Sequence, residues 1–433
     1  MMRRDRHVAV IGGGQAAARS IAAMRDAGFD GTVTLIGEES ELPYERPPLS
    51  KEALFRAPAL APATIFKDAF YVERGVDLCL GRRVIAIDAT TGAIDFEKGA
   101  GLKADRILLA TGARPRDLAL PGVETGRISY LRNFADATRL RPLLEPPCRL
   151  VLVGGGFIGL EIAAGAAKRG CQVTVIEALP RLMQRAVSAR VSEFVQDLHR
   201  AQGVSIKTGC TVTGARQGSS ETELLLSDNT LCIADVIVAG IGAIPNVELA
   251  ENAGIACNNG IEIANDGRTS SDIVWAAGDV ASRVHSFCGT RMRLESWENA
   301  EIQGGRAGRS IAASWSDDAA PGPDADSPPW FWTDQYDMNL QILGATGNAD
   351  HFVVRGDKSG KGEIIFHFRG DRLCGAELIS AGRERPIIKR LMQSGCSLPP
   401  EKLGDINIPL KELWNATQAM SQSPEKESTL GLA

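Results

Sequence analysis

The sequence lacks paired cysteines and paired histidines at the spacings that hold metal ions. Its nine cysteines are scattered through 433 residues without a CxxC pair, and its five histidines are equally dispersed. A structural zinc or iron–sulfur site would need several such ligands close together in one loop or on one helical face. We therefore expect no protein-bound metal, and reduced thiols in a cytoplasmic protein.

Long apolar runs and an excess of basic charge are also missing. The best apolar run, near 150–160, ends at Glu161 and is shorter than the roughly 18 residues of a membrane span. The basic start resembles a signal peptide, but glycines and a glutamine at 12–15 interrupt its apolar stretch. With a net charge of −5, the chain is expected to bind neither membranes nor nucleic acid.

Glycine, in contrast, is abundant, and it marks a βαβ pattern that occurs twice. The first copy has a strand at 7–11, a glycine turn at 12–17, a helix through Gly28 and a strand at 32–36. The second has a strand at 149–153, a turn at 154–159, a helix through Lys168 and a strand at 172–176. Further apolar runs at 107–115 and 236–246 end in glycine and proline. Continuous apolar strands are typical of parallel sheets buried on both faces.

The remaining sequence predicts a third domain. Residues 316–329 are rich in Asp, Ala and Pro, which favours a surface linker. Residues 330–413 show short alternating runs such as 363–368 and one helix near 386–394. Residues 415–433 lack an apolar period and are predicted to form a frayed tail. The fold class is therefore α/β, with two Rossmann-like dinucleotide-binding domains and a C-terminal α+β domain.

Each glycine turn has the context of a dinucleotide site. A pyrophosphate can approach the N–H groups of a helix N-terminus only where no side chain blocks it, so Gly12, Gly14, Gly154, Gly156 and Gly159 are expected ligand contacts. Ala17 replaces the third glycine of the first turn. Glu38 and Glu177 follow the next strands and should bind ribose hydroxyls. The alternative is a pair of tight turns without ligands.

Glu177 also bears on the choice of nicotinamide cofactor. Its carboxylate would repel the 2′-phosphate of NADPH, and the residues that follow offer only Arg181 as a phosphate partner. NADH is therefore favoured.

Several further segments resemble one family. They are 42–51 (LPYERPPLSK), 110–112 (ATG), 276–279 (AAGD), 295–300 (ESWENA), 330–336 (WFWTDQY), 403–405 (LGD) and 409–412 (PLKE). Together they resemble the bacterial NADH-dependent ferredoxin reductases, the family of putidaredoxin reductase and the reductases of aromatic-ring dioxygenases. The resemblance runs from about 7 to 413. It implies a glutathione-reductase-like fold with an FAD domain at 1–117 and 246–329, an NADH domain at 118–245, and a C-terminal α+β domain with a flexible tail at 330–433.

The motifs and the resemblance together predict the site residues. The FAD contacts are Gly12, Gly14, Ala16, Glu38, Arg46, Lys51, Val84, Ala110, Thr111, Gly112, Arg132, Asp279 and Trp297, and the NADH contacts are Gly154, Gly156, Ile158, Gly159, Glu177 and Gly242. Alternatives from the residues alone are a helix cap for Asp279, plain core for Trp297 and a strand residue for Val84.

Two charged residues are predicted to be catalytic. The resemblance places Glu161, on the first turn of the second loop's helix, beside Lys51, where an ion pair would hold Lys51 near flavin N5 and help to orient nicotinamide. The alternative is that both are ordinary surface charges. Trp332 either lies over the flavin or packs the third domain.

The electron acceptor is inferred from a missing group. Disulfide reductases and peroxide-reducing relatives need a cysteine near the flavin, but 43–51 contains none. A flavin can accept a hydride, which carries two electrons, and release those electrons one at a time, so the expected partner is a [2Fe–2S] ferredoxin serving a cytochrome P450 or a ring-hydroxylating oxygenase. Candidate docking cations are Arg306, Arg309, Lys389, Arg390 and Lys411, although a solvated helix face is the simpler reading. An NADH oxidase or peroxidase, and an NADH-sensing protein similar to apoptosis-inducing factor, stay open as alternatives.

Overall fold

The computed structural model describes residues 6–56, 61–315, 326–356, 362–395 and 397–422, which divide into two units. The larger unit comprises the chain up to Ala325 without a short loop, and the smaller unit comprises that loop, Arg185–Ser188, and the chain from Asp326 onward.

The larger unit contains most of the secondary structure. Up to residue 140 it has β1 (His7–Ile11), α1 (Gln15–Asp26), β2 (Thr32–Ile36), α2 (Glu52–Phe55), α3 (Asp68–Glu73), β3 (Val76–Cys79), β4 (Val84–Ile87), β5 (Ala93–Phe96), β6 (Leu102–Lys103), β7 (Arg106–Leu109), β8 (Ala113–Pro115), β9 (Ile128–Ser129) and α4 (Phe134–Leu140). The middle of the chain has β10 (Arg149–Val153), α5 (Phe157–Arg169), β11 (Gln172–Glu177), α6 (Ala189–Ala201), β12 (Ser205–Thr208), β13 (Val212–Gln217), β14 (Thr222–Leu226), β15 (Leu231–Ala234), β16 (Val236–Ala239), β17 (Ala243–Pro245) and α7 (Glu248–Asn252). The last part has β18 (Ile261–Glu262), β19 (Val274–Ala276), β20 (Ala281–His285), β21 (Thr290–Met292) and α8 (Trp297–Ala313).

Two five-stranded parallel sheets confirm the predicted Rossmann-like pattern. The first has the order β19-β7-β1-β2-β3 and the second β12-β11-β10-β16-β9. In the first, Ile11 at the end of β1 pairs with Ile36 and Leu109. In the second, Val153 at the end of β10 pairs with Ile176. Because the central strands of each sheet end together, each glycine turn lies at the edge where ligands of this fold bind.

Helix α8 packs closely on α1 through two glycines. A Cβ on Gly304 would lie 2.4 Å from the carbonyl oxygen of Ala16, and one on Gly308 would lie 2.2 Å from that of Ser20. Only glycine allows this approach. The helix that starts at Trp297 is thereby fixed against the helix that starts beside Gly14.

The smaller unit is the predicted α+β domain. It contains β22 (Trp330–Gln335), β23 (Met338–Gly344), β24 (His351–Gly356), β25 (Glu363–Arg369), β26 (Arg372–Ile379), α9 (Arg385–Ser394), α10 (Pro400–Gly404) and α11 (Leu410–Gln422). The strands form an antiparallel sheet in the order β22-β23-β26-β25-β24. Buried Arg355 donates to the carbonyl oxygens of Leu403, Asp405 and Ile408, which holds the segment after α10 in place.

Two predictions for this region are corrected. The frayed tail begins later than predicted, because α11 continues to Gln422; residues 423–433 lie outside the described residues. Residues 316–325 of the predicted linker also lie outside them. In the rest of that linker, Asp326, Pro328 and Pro329 are buried, so the prediction of a surface loop is wrong there.

Among the described residues, no helix is long and apolar enough to cross a membrane.

Candidate active site

The first glycine of each loop lies against the backbone of another turn. Gly12 has a φ of +122°, and a Cβ there would lie 2.1 Å from the carbonyl oxygen of Ala110. Gly154 has a φ of +109°, and its Cβ would lie 2.4 Å from the carbonyl oxygen of Gly240. Both the backbone conformation and the close approach therefore require glycine, at the same position in each sheet.

The second glycine of each loop leaves the helix N-terminus open to a ligand. Gly14 and Gly156 are the N-cap residues of α1 and α5, with no side-chain cap, and a Cβ on either would meet nothing within 4 Å. Open N–H groups at a helix start are what a pyrophosphate needs. Ala16 is buried in the first turn of α1, whereas Ile158 in the first turn of α5 is 48% exposed. These residues fit the two expected dinucleotides.

The third position of each motif lies at the contact between helix and strand turn. A Cβ on Gly159 would lie 2.7 Å from the carbonyl oxygen of Gly154, so α5 approaches its loop closely. The corresponding Ala17 is fully buried.

The two acidic residues predicted to bind ribose differ in their surroundings. Glu177 accepts hydrogen bonds from the backbone N–H groups of Gly155 (2.7 Å) and Leu179 (2.8 Å), so its carboxylate lies at the second loop. The side chain of Glu38 is 71% exposed and pairs with Arg83 at 3.8 Å. Glu177 is thus held in position, whereas Glu38 belongs to a surface ion pair.

The ATG turn at 110–112 is hydrogen-bonded to Asn246, at the end of the apolar run 236–246. The Thr111 hydroxyl donates to the carbonyl oxygen of Asn246 (2.9 Å), and the Asn246 amide donates to that of Thr111 (2.8 Å). The backbone N–H of Asn246 donates to the carbonyl oxygen of Gly112. Strands β8 and β17 pair beside this contact, and Gly242, with a φ of +110°, precedes β17. The two connections between the first and the second parallel sheet are therefore held together by these hydrogen bonds and by the β8–β17 pairing.

Lys51 and Glu161 form the predicted ion pair. The Lys51 Nζ lies 3.0 Å from a carboxylate oxygen of Glu161, and the other oxygen accepts the hydroxyl hydrogen of Ser50. The Glu161 side chain is 7% exposed and that of Lys51 is 21% exposed. A carboxylate this deeply buried is not an ordinary surface charge. Removing it from water costs free energy, and the attraction of the Lys51 ammonium compensates most of that cost.

Arg132 and Asp279 also form an ion pair, at 3.0 Å. Arg46 donates to the carbonyl oxygen of Arg132 (2.6 Å) and pairs with Glu39 at 2.8 Å. The alternative of a helix cap for Asp279 is excluded, because the next element, β20, is a strand.

Tyr44 joins the same network through Glu39, because its hydroxyl donates to the Glu39 carboxylate at 2.5 Å. Burial raises the pKa of Tyr44, so its hydroxyl stays protonated and donates. Glu39 and Tyr44 were not predicted.

Trp297 is held by an acid that was also not predicted. Its indole N–H donates to Glu45 at 2.6 Å, and Trp297 begins α8, which Ser296 caps by accepting the N–H of Asn299. Burial raises the pKa of Glu45, and the bond from Trp297 opposes this shift. Trp297 is only half-buried, so the plain-core reading is wrong. Val84, in contrast, is buried in the core beneath the first sheet.

Two cysteines meet in space although they are far apart in the sequence. Cys148 and Cys171 directly precede β10 and β11. The N–H of Gln172 donates to the carbonyl oxygen of Cys148 at 2.8 Å, so the two cysteines lie side by side. They lie at the edge of the parallel sheet opposite to the Gly154 loop. Burial raises the pKa of Cys148 to about 12, so it is not a reactive thiolate. Among the described residues, no three His, Cys, Asp or Glu side chains are grouped as metal ligands.

The remaining predicted residues lie in two different environments. Arg306 in α8 is buried, 9% exposed, so it is wrong as a surface docking residue, because its side chain packs inside the larger unit. Arg309 is exposed on the same helix. Within the smaller unit, Arg390 and Lys411 are exposed and Lys389 is half-buried. Trp332 stacks on Trp330 at 4.7 Å between ring centroids, within the smaller unit.

The chain is similar to known proteins over most of its length. A family model described as pyridine nucleotide-disulphide oxidoreductase matches residues 6–304, and one described as reductase C-terminal matches 330–414. The ferredoxin–NAD(+) reductase component of the anthranilate 1,2-dioxygenase system of Burkholderia cepacia is 37% identical over 93% of this chain and 98% of its own. Putidaredoxin reductase of Pseudomonas putida is 34% identical over 96% and 99%.

Solved structures are similar over the same length. The covalent putidaredoxin reductase–putidaredoxin complex matches with a TM-score of 0.89 at 33% identity, covering 96% of this chain and 100% of that one. The water-forming NADH oxidase of Lactobacillus brevis matches with a TM-score of 0.81 over 96% and 98%, but at 19% identity it shares the fold alone.

The two loops should be separable by mutation. Gly12→Ala would place a methyl group against Ala110 and is expected to abolish binding of the flavin predicted at this loop. Gly154→Ala should leave the flavin bound and weaken NADH binding by about tenfold or more, the equivalent of ~1.4 kcal/mol. Flavin absorbance of the purified protein and NADH titration measure the two effects. Loss of flavin from Gly154→Ala alone would contradict the assignment.

Proposed function

The chain belongs to the pyridine nucleotide-disulphide oxidoreductase family, and we propose that within it the protein is an FAD-dependent NADH:ferredoxin oxidoreductase of an oxygenase system. Its similar proteins from B. cepacia and P. putida are named as reductases of a ferredoxin and of putidaredoxin. The observation that carries the proposal is the buried Lys51–Glu161 pair, which joins the segment after the first glycine loop to the helix of the second. Hydride transfer requires that a donor at one loop and an acceptor at the other are held close together, and this pair holds the two parts of the chain together.

We also propose the division of the chain into an FAD domain at 1–117 and 246–329, an NADH domain at 118–245 and a C-terminal domain at 330–433. The return of β19 to the sheet of β1 supports the interrupted FAD domain. The smaller unit and the match to the reductase C-terminal model support the third domain.

In this proposal FAD lies at the first loop. Gly12 and Gly14 would leave room for its pyrophosphate, Asp279 would accept a hydrogen bond from a ribityl hydroxyl, and the start of α8 at Trp297 would face the flavin pyrimidine. The positive end of that helix would stabilise negative charge there. When bound, FAD would supply the chemistry that accepts one hydride, with its two electrons, from nicotinamide and passes the two electrons on one at a time.

The chain's own residues would align the two cofactors. Glu161, which is buried, fixes the partly buried Lys51 ammonium, and a charge with reduced solvent exposure acts more strongly than one in bulk water. Glu177, held by two backbone N–H groups, would accept the ribose hydroxyls of NADH and repel a 2′-phosphate. Each group is held by contacts within the chain, which lowers the reorganisation that the reaction needs.

The ferredoxin would bind through cations that are exposed or half-buried. Arg309 in the larger unit and Lys389, Arg390 and Lys411 in the smaller unit are the remaining candidates, and they would attract an acidic partner to a chain whose net charge is −5.

The function is tested by NADH-driven reduction of cytochrome c with and without candidate [2Fe–2S] ferredoxins. We expect cytochrome c to be reduced only when a cognate ferredoxin is present. The ferredoxin would carry the electrons from the flavin to cytochrome c, whose absorbance reports them. Rapid oxygen or peroxide consumption without ferredoxin would indicate an oxidase or peroxidase. Very slow flavin reduction with a long-lived reduced flavin–NAD complex would indicate a sensor similar to apoptosis-inducing factor.

Lys51→Met should slow flavin reduction by NADH by about tenfold or more, because it removes a charge worth at least ~1.4 kcal/mol at the reacting centre. Stopped-flow absorbance measures the limiting rate. Lys98→Met, at an exposed lysine of the same unit, is the matched control and should react as the wild type does. An unchanged rate in Lys51→Met would remove this residue from the mechanism.

Charge reversal tests the docking cations. Lys389→Glu combined with Arg390→Glu should slow ferredoxin-dependent turnover at low salt by about tenfold, within the range of electrostatic steering, while flavin reduction by NADH is unchanged. Added salt should lower wild-type ferredoxin turnover and reduce the difference from the variant. Equal turnover by both proteins at low salt would contradict docking at α9.

A further inference from the structure

A glycine inside α5 packs against an aromatic ring. Glycine in a helix interior is about 1 kcal/mol less favourable than alanine, and at Gly165 the neighbouring ring excludes alanine. A Cβ on Gly165 would lie 2.2, 2.4 and 2.7 Å from the Cε2, Cδ2 and Cζ atoms of Phe55. The ring therefore occupies the space that any larger side chain would take.

This contact lies one helical turn from the Lys51–Glu161 ion pair. Glu161 and Gly165 are four residues apart in α5, so they lie on the same face of the helix. Phe55 is tied to Lys51 in the same way, because its N–H donates to the Lys51 carbonyl oxygen at 3.0 Å. The two short segments thus meet at two neighbouring points, one charged and one apolar.

A third point extends the same line. Arg169, four residues beyond Gly165, places its guanidinium 5.8 Å from the centre of the Phe55 ring and pairs with Glu145 at 2.9 Å. On the other segment, Arg141 donates to the carbonyl oxygen of Ala53 at 3.2 Å. The ring of Phe55 is therefore held between the backbone of α5 and a charged side chain, which restricts where it can move.

We propose that the Phe55–Gly165 contact is a positioning contact for hydride transfer, and that it sets the spacing between α5 and the segment that carries Lys51. This inference rests on the proposed function. Because α5 begins at the second glycine loop, its distance from Lys51 determines where nicotinamide meets the flavin. Reacting atoms must approach to about 3–3.5 Å, and a misplacement of about 1 Å can slow a reaction 10²-fold. Phe55 and Gly165 touch neither cofactor in this proposal and act through Lys51 and Glu161.

The test compares four holoenzymes: wild type, Gly165→Ala, Phe55→Leu and the double variant. Stopped-flow absorbance gives the limiting rate of flavin reduction, and titration with oxidised NAD, followed by the flavin spectrum, gives binding without turnover. Gly165→Ala should lower the limiting rate by about tenfold or more with less than about a threefold change in NAD affinity. The double variant should recover to within about threefold of Phe55→Leu, because the smaller side chain makes room for the new methyl group.

Gly305→Ala is the matched control. Gly305 also lies inside a helix, but its Cβ would meet only the Nη1 of Arg309, at 3.5 Å, so the variant should react as the wild type does. If Gly165→Ala does not fold, Phe55→Trp enlarges the same contact from the other side and should give the same selective loss of rate.

A normal rate in Gly165→Ala, a loss of rate matched by an equal loss of NAD affinity, or a double variant as slow as Gly165→Ala would each overturn the proposal. A wild type that reduces no ferredoxin would instead refute the proposed function, so the two failures are distinguishable.

Discussion

The ion pair between Lys51 and Glu161 is the interaction on which the rest of this site depends. A carboxylate that is 7% exposed is stable only while its cation and its hydrogen-bond donor stay in place. Because Lys51 follows the first glycine loop and Glu161 belongs to the helix of the second, this ion pair connects the parts of the chain that carry the two loops. In the proposed function that junction aligns the nicotinamide with the flavin for hydride transfer.

Around this junction, close packing of backbone against backbone recurs. Gly12 and Gly154 each lie against the carbonyl oxygen of a neighbouring turn, and Gly304 and Gly308 bring α8 onto α1. Each contact leaves no space for a Cβ atom, so the two backbone segments that meet there have little freedom to move relative to each other. The Thr111–Asn246 bonds extend this rigidity to the connections between the halves. Such a frame can hold two cofactors at a set distance, which suits a reaction that depends on alignment.

Local patterns predicted the fold and the loops, because the period of apolar residues and the position of glycine are local properties. The hydrogen bond between Trp297 and Glu45 and the packing of Gly165 against Phe55 had no such signal. The first joins residues 252 positions apart, and neither partner is unusual in its own segment. The tail was misjudged because α11 buries Leu410, Leu413 and the polar Thr417 at helical spacing, and a buried threonine looks like an exposed one in sequence. Arg306 was misjudged for the same reason, since charge alone does not reveal burial.

The central claim is that Lys51 and Glu161 act as one unit, and a double-mutant cycle tests it most directly. The limiting rate of flavin reduction by NADH would be measured for Lys51→Met, Glu161→Gln and the double variant. If the pair acts as a unit, the effects are strongly non-additive and the double variant is about as slow as Lys51→Met alone. Two losses that multiply in the double variant would show independent residues and would contradict the account.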